Sequence, residues 1–266
     1  MHLIAIGGSD AGISAALRAR ELDPTSDVTV VVGDAYPNFS ICGIPYYVSG
    51  EVEHWRNLAH RTREDLEATG MRLRLDTLAK RIDVANRRLL VTGADGGSEE
   101  LHYDALIVGT GALPLRPPIA GLAQLGPGDG VHLLHSMDDT FALTATLARP
   151  GVTRAVIVGA GYIGLEMAEG LTTRGLAVTQ LEQLPEVLPT VDPQLGALVR
   201  AQLEGHGVTV RTGAAVREIA PAAPGAPGRL RVEAEAAGEQ VTVHADMVLV
   251  VTGVRPETGL AVSAGA

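Results

Sequence analysis

Cysteine is nearly absent from this chain of 266 residues, which has only Cys42. One cysteine excludes an internal disulfide framework. It also excludes a cysteine-rich zinc site, which needs several thiolates or histidines at short spacing. The eight histidines are scattered, and no pair stands at ligand spacing beside a carboxylate. We therefore expect no metal site.

Long hydrophobic runs and an excess of basic residues are also missing. Apolar stretches such as residues 247–251 are far shorter than the roughly 20 residues of a membrane-spanning helix. The first eight residues lack the basic region and cleavage site of a secretory signal. The formal charge of −10, from 21 basic and 31 acidic residues, argues against nucleic acid or a membrane as a partner. We expect a globular, cytoplasmic protein.

A strand–turn–helix pattern begins the chain. The apolar run 3–6 predicts a buried strand, the sequence Gly-Gly-Ser-Asp-Ala-Gly at 7–12 a turn, and residues 13–20 a helix. Such a turn presents the unpaired N–H groups of a helix N-terminus to a pyrophosphate, and Gly12 permits close helix–strand packing. Ser9 stands where the G-x-G-x-x-G pattern has its second glycine, so a purely structural turn is an alternative interpretation.

The next apolar run, residues 28–32, predicts the second strand of the same unit. A Rossmann unit places an acidic residue at the end of this strand, where its carboxylate accepts a hydrogen bond from a ribose hydroxyl. Asp34 is the candidate, although it lies beyond the end of the run. An ordinary turn aspartate is the alternative.

An unbroken G-x-G-x-x-G occurs in the second half of the chain, where its glycines are Gly159, Gly161 and Gly164. It lies between the apolar run 155–158 and a helix-like stretch, which is the context that makes the pattern specific. Glu182 ends the next predicted strand, 177–181, at the position where a carboxylate binds the adenosine 2′-hydroxyl. No arginine stands beside Glu182, so NADH is favoured over NADPH, whose 2′-phosphate a carboxylate would repel.

Cys42 lies in the sequence Asn-Phe-Ser-Ile-Cys-Gly-Ile-Pro-Tyr-Tyr, residues 38–47. A lone cysteine is usually a small buried apolar residue. Here Gly43 allows another group to approach closely, and Pro45 is placed like an early helix residue. The thiol would then lie at the positive end of a helix dipole, which favours the reactive thiolate. We predict that Cys42 is a redox centre.

The remaining segments are predicted to cover the core. We expect helices at 63–69 and 138–148, a β-meander at 71–75, 79–84 and 88–92, and a closing meander at 208–210, 230–234 and 241–244. Buried strands are expected at 103–112, which ends in glycines, and at 246–252, with a proline-rich linker at 114–118.

The order of these motifs resembles that of the pyridine nucleotide-disulfide oxidoreductases, flavoproteins with two dinucleotide-binding domains. The segment 42–47 is similar to the single-cysteine branch, which includes coenzyme A-disulfide reductases, persulfide reductases and NADH oxidases. The resemblance covers essentially the whole chain. It implies an α/β fold with two Rossmann-like domains, each with three layers that include a mostly parallel sheet and a β-meander, the second domain inserted in the first.

The resemblance also implies domain boundaries. An FAD-binding domain would comprise residues 1–113, an NAD(P)H-binding domain 114–243, and a returning FAD segment would begin at 244. Relative to the family, the chain is expected to be truncated at its C-terminus, without the rest of the FAD segment and the dimerisation domain. A homodimer is expected only if that domain exists.

The resemblance assigns roles to individual residues. Gly7, Gly8 and Gly12 would hold the FAD pyrophosphate with Thr110 and Gly111 nearby, and Gly159, Gly161, Gly164 and Glu182 would bind NADH. The candidate catalytic residues are Cys42, facing the isoalloxazine ring, and Glu166, near flavin and nicotinamide. A helix-surface carboxylate is the alternative for Glu166. Two positions depart from the family: Asn38 replaces a serine, and Val32 replaces the FAD ribose acid, which leaves Asp34 as a displaced substitute.

The implied chemistry is hydride transfer from NADH to FAD, followed by electron transfer through Cys42 to a low-molecular-weight disulfide or persulfide such as coenzyme A disulfide. With no second cysteine, the thiol must pair with substrate or oxidise to a sulfenic acid. Two alternatives stay open. One is an NADH oxidase that reduces oxygen or peroxide through a Cys42 sulfenic acid, and the other is a truncated, non-catalytic nucleotide-binding protein.

Overall fold

Seventeen strands and seven α-helices make up the protein, described by a computed structural model that covers all residues, 1–266. The strands are β1 (His2–Ile6), β2 (Asp27–Val31), β3 (Arg72–Arg74), β4 (Leu78–Asp83), β5 (Arg88–Thr92), β6 (Ser98–His102), β7 (Ala105–Val108), β8 (Ala112–Pro114), β9 (Val131–His132), β10 (Arg154–Val158), β11 (Ala177–Leu181), β12 (Thr209–Arg211), β13 (Ala214–Pro221), β14 (Leu230–Ala236), β15 (Glu239–Ala245), β16 (Met247–Val250) and β17 (Val254–Pro256). The helices are α1 (Asp10–Leu22), α2 (Ile44–Ser49), α3 (Arg63–Ala68), α4 (Met137–Leu147), α5 (Tyr162–Thr173), α6 (Pro193–Gly205) and α7 (Gly259–Ser263). None of these helices combines the length and the hydrophobicity that crossing a bilayer requires.

The chain divides into two compact units. The first unit comprises Met1–Ser40, Trp55–Leu113 and Pro256–Ala266, and the second comprises Ile41–His54 and Pro114–Arg255. The chain therefore crosses from one unit to the other four times, after residues 40, 54, 113 and 255. The two later crossings are the strands β8 and β17, which pair with each other.

The first unit is built on a parallel sheet with the order β3-β2-β1-β7. Alternate side chains of a strand point to opposite faces of the sheet. On one face, Ala5 and Val30 pack with Ile13 of α1. On the other, Ile4 packs with Leu89 of the antiparallel sheet β4-β5-β6. Helix, parallel sheet and meander therefore form three layers, because both faces of a parallel sheet must be covered.

The second unit repeats this plan on a larger scale. Its parallel sheet has the order β12-β11-β10-β16-β9, and the antiparallel sheet β13-β14-β15 covers one face. The core between the two sheets includes Val156, Leu181 and Val248 from the first sheet with Val232 from the second. The α/β class with two Rossmann-like units of three layers is thus confirmed.

Two predicted meander strands are wrong. The segment predicted at 71–75 forms β3, which pairs in parallel with β2, and the segment predicted at 208–210 forms β12, which pairs in parallel with β11. Each follows a helix, α3 or α6, and a strand that returns after a crossover helix runs parallel to the strand before it. Both segments therefore extend the main sheets.

Several elements were not predicted from the sequence, among them β6, β13 and α6. The sequence of β6 is Ser-Glu-Glu-Leu-His, without an apolar alternation, and it is an edge strand of mostly exposed residues. Helix α6 does carry a start signal, since the Asp192 side chain accepts a hydrogen bond from the Gln194 N–H and Pro193 follows directly.

The return to the first unit occurs after residue 255, later than the predicted boundary at 244. The physical reason is the pairing of β16, which lies between β10 and β9 in the second sheet. The residues of β16 are almost completely buried there, so they cannot leave that unit without opening its core. The structure also differs from the predicted first domain, 1–113, in that Ile41–His54 packs with the second unit.

Candidate functional site

The glycine turn of the second unit joins β10 to α5. A Cβ on Gly159, whose φ is +108°, would lie 2.5 Å from the Val251 carbonyl oxygen, and one on Gly164 would lie 2.3 Å from the Gly159 carbonyl oxygen. These two glycines are therefore required by the packing of the protein itself. Gly161 differs, because a Cβ there would meet no atom within 4 Å. Its missing side chain leaves open space at the N-terminus of α5.

A cleft of about 400 Å³ opens beside this turn. It lies at the carboxyl ends of β10, β11 and β16, where open α/β sheets bind their ligands. Its lining includes Gly159, Gly161, Tyr162, Glu182, Leu184 and Thr252. The volume falls in the range of ligand pockets, roughly 300–1,000 Å³.

The Glu182 carboxylate is held at this cleft by two backbone donors. Its Oε2 accepts a hydrogen bond from the Ala160 N–H at 2.7 Å, and its Oε1 accepts one from the Leu184 N–H at 2.9 Å. Glu182 is 6% exposed. The predicted ribose ligand is thus oriented by the glycine turn, and the structure brings it together with Gly159, Gly161 and Gly164 as the fingerprint predicts.

The glycine turn of the first unit is packed more tightly. A Cβ on Gly7 would lie 2.0 Å from the Gly109 carbonyl oxygen, and one on Gly12 would lie 2.0 Å from the Gly7 carbonyl oxygen. A Cβ on Gly8 would lie 2.5 Å from a methyl carbon of Val32. All three glycines are therefore explained by close approach within the unit. Val32, the residue that replaces the expected acid, is what makes Gly8 necessary.

The other residues assigned to the first site lie in the same unit. The Asp34 side chain accepts a hydrogen bond from the Tyr36 N–H at 2.8 Å, as a turn aspartate does. The Thr110 hydroxyl donates to the Glu257 carbonyl oxygen at 2.5 Å. Gly111 has a φ of +70°, and a Cβ there would meet nothing within 4 Å.

Asn38 has a structural reason to replace serine. Its φ is +56°, a left-handed conformation that asparagine tolerates better than most residues. The residue is buried, its N–H donates to the Gly8 carbonyl oxygen at 2.6 Å, and its carbonyl oxygen accepts from the His60 N–H at 2.9 Å. Asn38 therefore ties the segment before Cys42 to the first glycine turn.

Cys42 is exposed and lies in a 3₁₀ turn, Ile41–Gly43, directly before α2. Exposure argues against the interpretation of Cys42 as a buried apolar residue. Helix α2 packs on α5 within the second unit. A Cβ on Gly170 would lie 3.2 Å from the Pro45 carbonyl oxygen, and the Arg174 guanidinium donates a hydrogen bond to the Val48 carbonyl oxygen. The thiol segment is thus attached to the helix that begins at the second glycine turn.

Glu166 lies on α5, one turn after its start, and is exposed. Partial desolvation raises the pKa of this carboxyl above its ordinary value, and the negative charge of Glu169 adds to the effect. A raised pKa brings a carboxyl nearer to the range in which it can exchange protons at neutral pH.

An aromatic cluster in the first unit was missed by the sequence analysis. The Phe39 and Trp55 rings stack with centroids 5.5 Å apart, and Tyr36 meets Trp55 edge-on at 5.6 Å. The chain has only eight aromatic residues (one Trp, five Tyr and two Phe), so three of them in one cluster is a notable concentration. The signal in the sequence is weak because the residues share no regular spacing.

The family model for pyridine nucleotide-disulphide oxidoreductases matches residues 1–266. The chain belongs to this family. Among curated relatives, it is 32% identical to an NADH oxidase of Methanocaldococcus jannaschii, over 100% of this chain and 57% of the relative. It is also 32% identical to a CoA-dependent NAD(P)H sulfur oxidoreductase of Pyrococcus abyssi, over 97% of this chain and 55% of the relative.

Among solved structures, an NAD-dependent persulfide reductase from A. fulgidus matches with a TM-score of 0.89 and 34% identity, over 100% of this chain and 48% of that chain. A water-forming NADH oxidase from Lactobacillus brevis, bound to NADH, matches with a TM-score of 0.86 and 25% identity, over 98% and 55%. FAD and NADH are typical cofactors of such proteins. The chain spans about half the length of the relatives it matches.

Proposed function

We propose that the protein is a flavoprotein oxidoreductase that uses NADH, FAD and Cys42 to reduce a low-molecular-weight disulfide or persulfide, such as coenzyme A disulfide. The observation that carries the proposal is the exposed position of the only cysteine, on a segment packed against the nucleotide-binding helix α5. The persulfide reductase and the CoA-dependent sulfur oxidoreductase among the relatives support this substrate class.

The second unit offers the residues that would hold NADH. The open space above Gly161 suits a pyrophosphate at the N-terminus of α5, where N–H groups and the helix dipole favour negative charge. The Glu182 carboxylate would accept hydrogen bonds from the adenosine ribose, and its charge would disfavour a 2′-phosphate. NADH is therefore the proposed donor over NADPH.

The first unit offers a turn that would hold the FAD pyrophosphate, formed by Gly7, Gly8 and Gly12. Its close packing brings the N-terminus of α1 directly against the end of β1, which suits a dinucleotide. Thr110 and the open Gly111 complete the proposed site. Val32 offers no acceptor to a ribose, so Asp34 is the proposed ribose ligand. Its hydrogen bond from the Tyr36 N–H would orient the carboxylate.

The proposed reaction at Cys42 is thiol–disulfide exchange. The Cys42 thiolate attacks one sulfur of the substrate disulfide, which forms a Cys42–substrate mixed disulfide and releases the other half as a thiolate. Bound FAD would supply the relay of two electrons from NADH that reduces this mixed disulfide, and the second thiol is released as Cys42 returns to its reduced form. The exposure of Cys42 gives an external substrate access to its sulfur.

A second candidate function is an NADH oxidase that reduces oxygen or peroxide through a Cys42 sulfenic acid. The relatives from Methanocaldococcus jannaschii and Enterococcus faecalis named NADH oxidase favour it.

A third candidate is a nucleotide-binding protein without catalysis. If the purified protein bound FAD stoichiometrically and NADH rapidly bleached the flavin absorbance, this third candidate would be contradicted.

The test begins with the purified protein in the presence of FAD and NADH. We expect Cys42→Ser to lose disulfide reduction while it keeps reduction of bound flavin by NADH, because serine cannot form a mixed disulfide. Full disulfide turnover by the variant would contradict the thiol mechanism. In a second step, the protein is reduced anaerobically with NADH and mixed separately with coenzyme A disulfide, a persulfide or oxygen. The acceptor that reoxidises the flavin fastest decides between the first two candidates.

A further inference from the structure

We propose that Gln180 is a positioning residue for NADH: together with Glu182 it fixes the peptide that joins Gly159 to Ala160 in the dinucleotide turn. The inference rests on the proposed NADH site and deepens it. Nothing in the fingerprint itself points to Gln180, which stands two residues before Glu182 in β11.

The geometry consists of two hydrogen bonds on opposite sides of one peptide. Gln180 and Glu182 point to the same face because side chains alternate along an extended chain. The Gln180 Nε2 donates to the Gly159 carbonyl oxygen at 3.0 Å. The Glu182 Oε2 accepts from the Ala160 N–H at 2.7 Å. The carbonyl and the N–H of the same peptide plane are therefore both held, which prevents the plane from rotating.

Burial of this amide is costly for the fold. Gln180 is 0% exposed, and its Oε1 has no hydrogen-bond partner. An unpartnered buried acceptor destabilises a protein relative to an apolar side chain of the same shape. The amide also takes space, since its Nε2 lies 2.9 Å from where a Cβ on Gly164 would be. A core selected only for stability would favour an aliphatic residue here.

The first unit shows that the fold does not need this polar pair. Leu181 pairs with Val158 just before the second turn, as Val31 pairs with Ile6 just before the first. By this register, Val30 and Val32 occupy the places of Gln180 and Glu182. Both valines are buried and have no polar side-chain atom. The same strand–turn–helix thus forms without the two bonds, which indicates that they serve the second site.

The consequence for NADH is a linkage between its two recognition elements. The Glu182 carboxylate is the proposed ribose ligand, and its orientation depends on the Ala160 N–H. If the Gly159–Ala160 peptide rotates, the carboxylate loses one of its two donors and the turn beside Gly161 changes shape. Gln180 would therefore strengthen ribose and pyrophosphate binding together, without touching the nucleotide.

The test compares Gln180→Met, which removes the donor and keeps the length, with Thr179→Val as a matched control on the same strand and the opposite face. We expect Gln180→Met to raise the Kd and KM for NADH by about tenfold, with kcat at saturating NADH changed less than twofold. The Kd for ADP-ribose, which lacks nicotinamide, should rise in parallel. FAD content and melting temperature should stay at or above those of the control.

Each other outcome overturns the inference. Unchanged Kd for NADH in Gln180→Met contradicts it, and so does a rise that occurs only with loss of FAD and a lower melting temperature, which would indicate a structural role. In a double-mutant cycle, Gln180→Met should reduce the NADH affinity less in a Glu182→Gln background than in the wild type. Fully additive losses of affinity would contradict the idea that both side chains act through the same peptide. If the wild-type protein shows no saturable NADH binding, the proposed NADH site itself fails, which distinguishes that case from a failure of Gln180 alone.

Discussion

At the scale of single residues, the glycines of the two turns have different reasons to be glycine. Gly7, Gly12, Gly159 and Gly164 are each required by a backbone oxygen that lies where a Cβ would be. Gly161 is not, because its Cβ would meet open space in a cleft. Packing therefore explains the first group, and the proposed pyrophosphate site explains Gly161, although the sequence pattern treats them alike.

Gly161→Ala should therefore fold normally and bind NADH at least about tenfold more weakly, because the added methyl group would occupy the space for the pyrophosphate. Gly161 has a φ of −77°, which alanine adopts without strain. Titration of NADH fluorescence measures the effect. Gly205→Ala is the matched control, since it also lies in open space but outside the cleft. Equal affinity in both variants would contradict the assignment.

His132 gives a prediction about pH. It is buried, its Nε2 is hydrogen-bonded to the Thr146 hydroxyl, and burial lowers its pKa to about 4, with help from the positive charge of Arg149. A histidine in the unfolded chain has a pKa of about 6.5, so below that pH the unfolded state binds the extra proton. Stability is therefore lost as the pH falls from about 6.5 towards 4.

We expect His132→Gln to weaken this acid destabilisation, because glutamine does not titrate. The free energy of unfolding from urea denaturation at pH 7 and pH 4.5 should show a loss smaller by on the order of 2 kcal/mol than in the wild type. His102→Gln, at an exposed position, is the control variant. An equal loss of unfolding free energy between pH 7 and pH 4.5 in His132→Gln and the wild type would exclude His132 as the source of the acid destabilisation.

At the scale of elements, the attachment of α2 to α5 decides where the thiol lies. Helix α2 has only six residues, too few to be stable alone. Its position depends on the close approach at Gly170 and on Arg174, whose guanidinium binds the Val48 carbonyl oxygen near the C-terminus of the helix. A cation at a helix C-terminus also interacts favourably with the helix dipole.

Arg174→Met should lower the stability of the second unit by about 1 kcal/mol, because the carbonyl oxygen loses a charged donor. Arg18→Met is the control, since the Arg18–Glu21 pair is exposed on both sides and such pairs contribute little. Calorimetric melting temperatures measure both variants. An equal shift in the melting temperatures of the two variants would show that the hydrogen bond from Arg174 to Val48 contributes no more to stability than an exposed ion pair.

The sequence predicts elements well where the apolar pattern is local. The strands β1, β2, β10 and β11, with the turns that follow, lie where their apolar runs predict. The assignments of β3 and β12 are wrong because strand direction depends on the preceding helix, and β6 is missed because its edge position permits charged residues.

For the site, glycines and Glu182 follow from the fingerprint. The bond from Gln180 and the docking of Val48 on Arg174, 126 residues away, depend on tertiary contacts that no local pattern encodes.

At the scale of the whole molecule, the two units should respond separately to ligands if each holds its proposed nucleotide site. A ligand that binds only the folded state stabilises it by about 2.7 kcal/mol at a concentration of 100 times its Kd. Trp55 is the only tryptophan and lies in the first unit, so its emission reports on the unfolding of that unit.

Saturating NAD⁺ should therefore raise the temperature of the calorimetric transition of the second unit. NADP⁺ at the same concentration should raise it much less, because the Glu182 carboxylate would repel a 2′-phosphate in the proposed site. Glu182→Gln should narrow the difference between the two nucleotides. Comparison of calorimetry with Trp55 emission assigns each transition to its unit. A larger shift with NADP⁺ than with NAD⁺ in the wild type would contradict the proposed preference.

The fourfold crossing of the chain has a practical consequence for anyone who wishes to express the nucleotide units alone. A fragment 114–255 contains the second glycine turn and its sheets, but it lacks Ile41–His54. The α5 surface around Gly170 would then lose α2 and become exposed to water. An excised unit should keep the thiol segment, for example by fusing 41–54 to residue 114 through a flexible linker, so that this apolar surface stays covered.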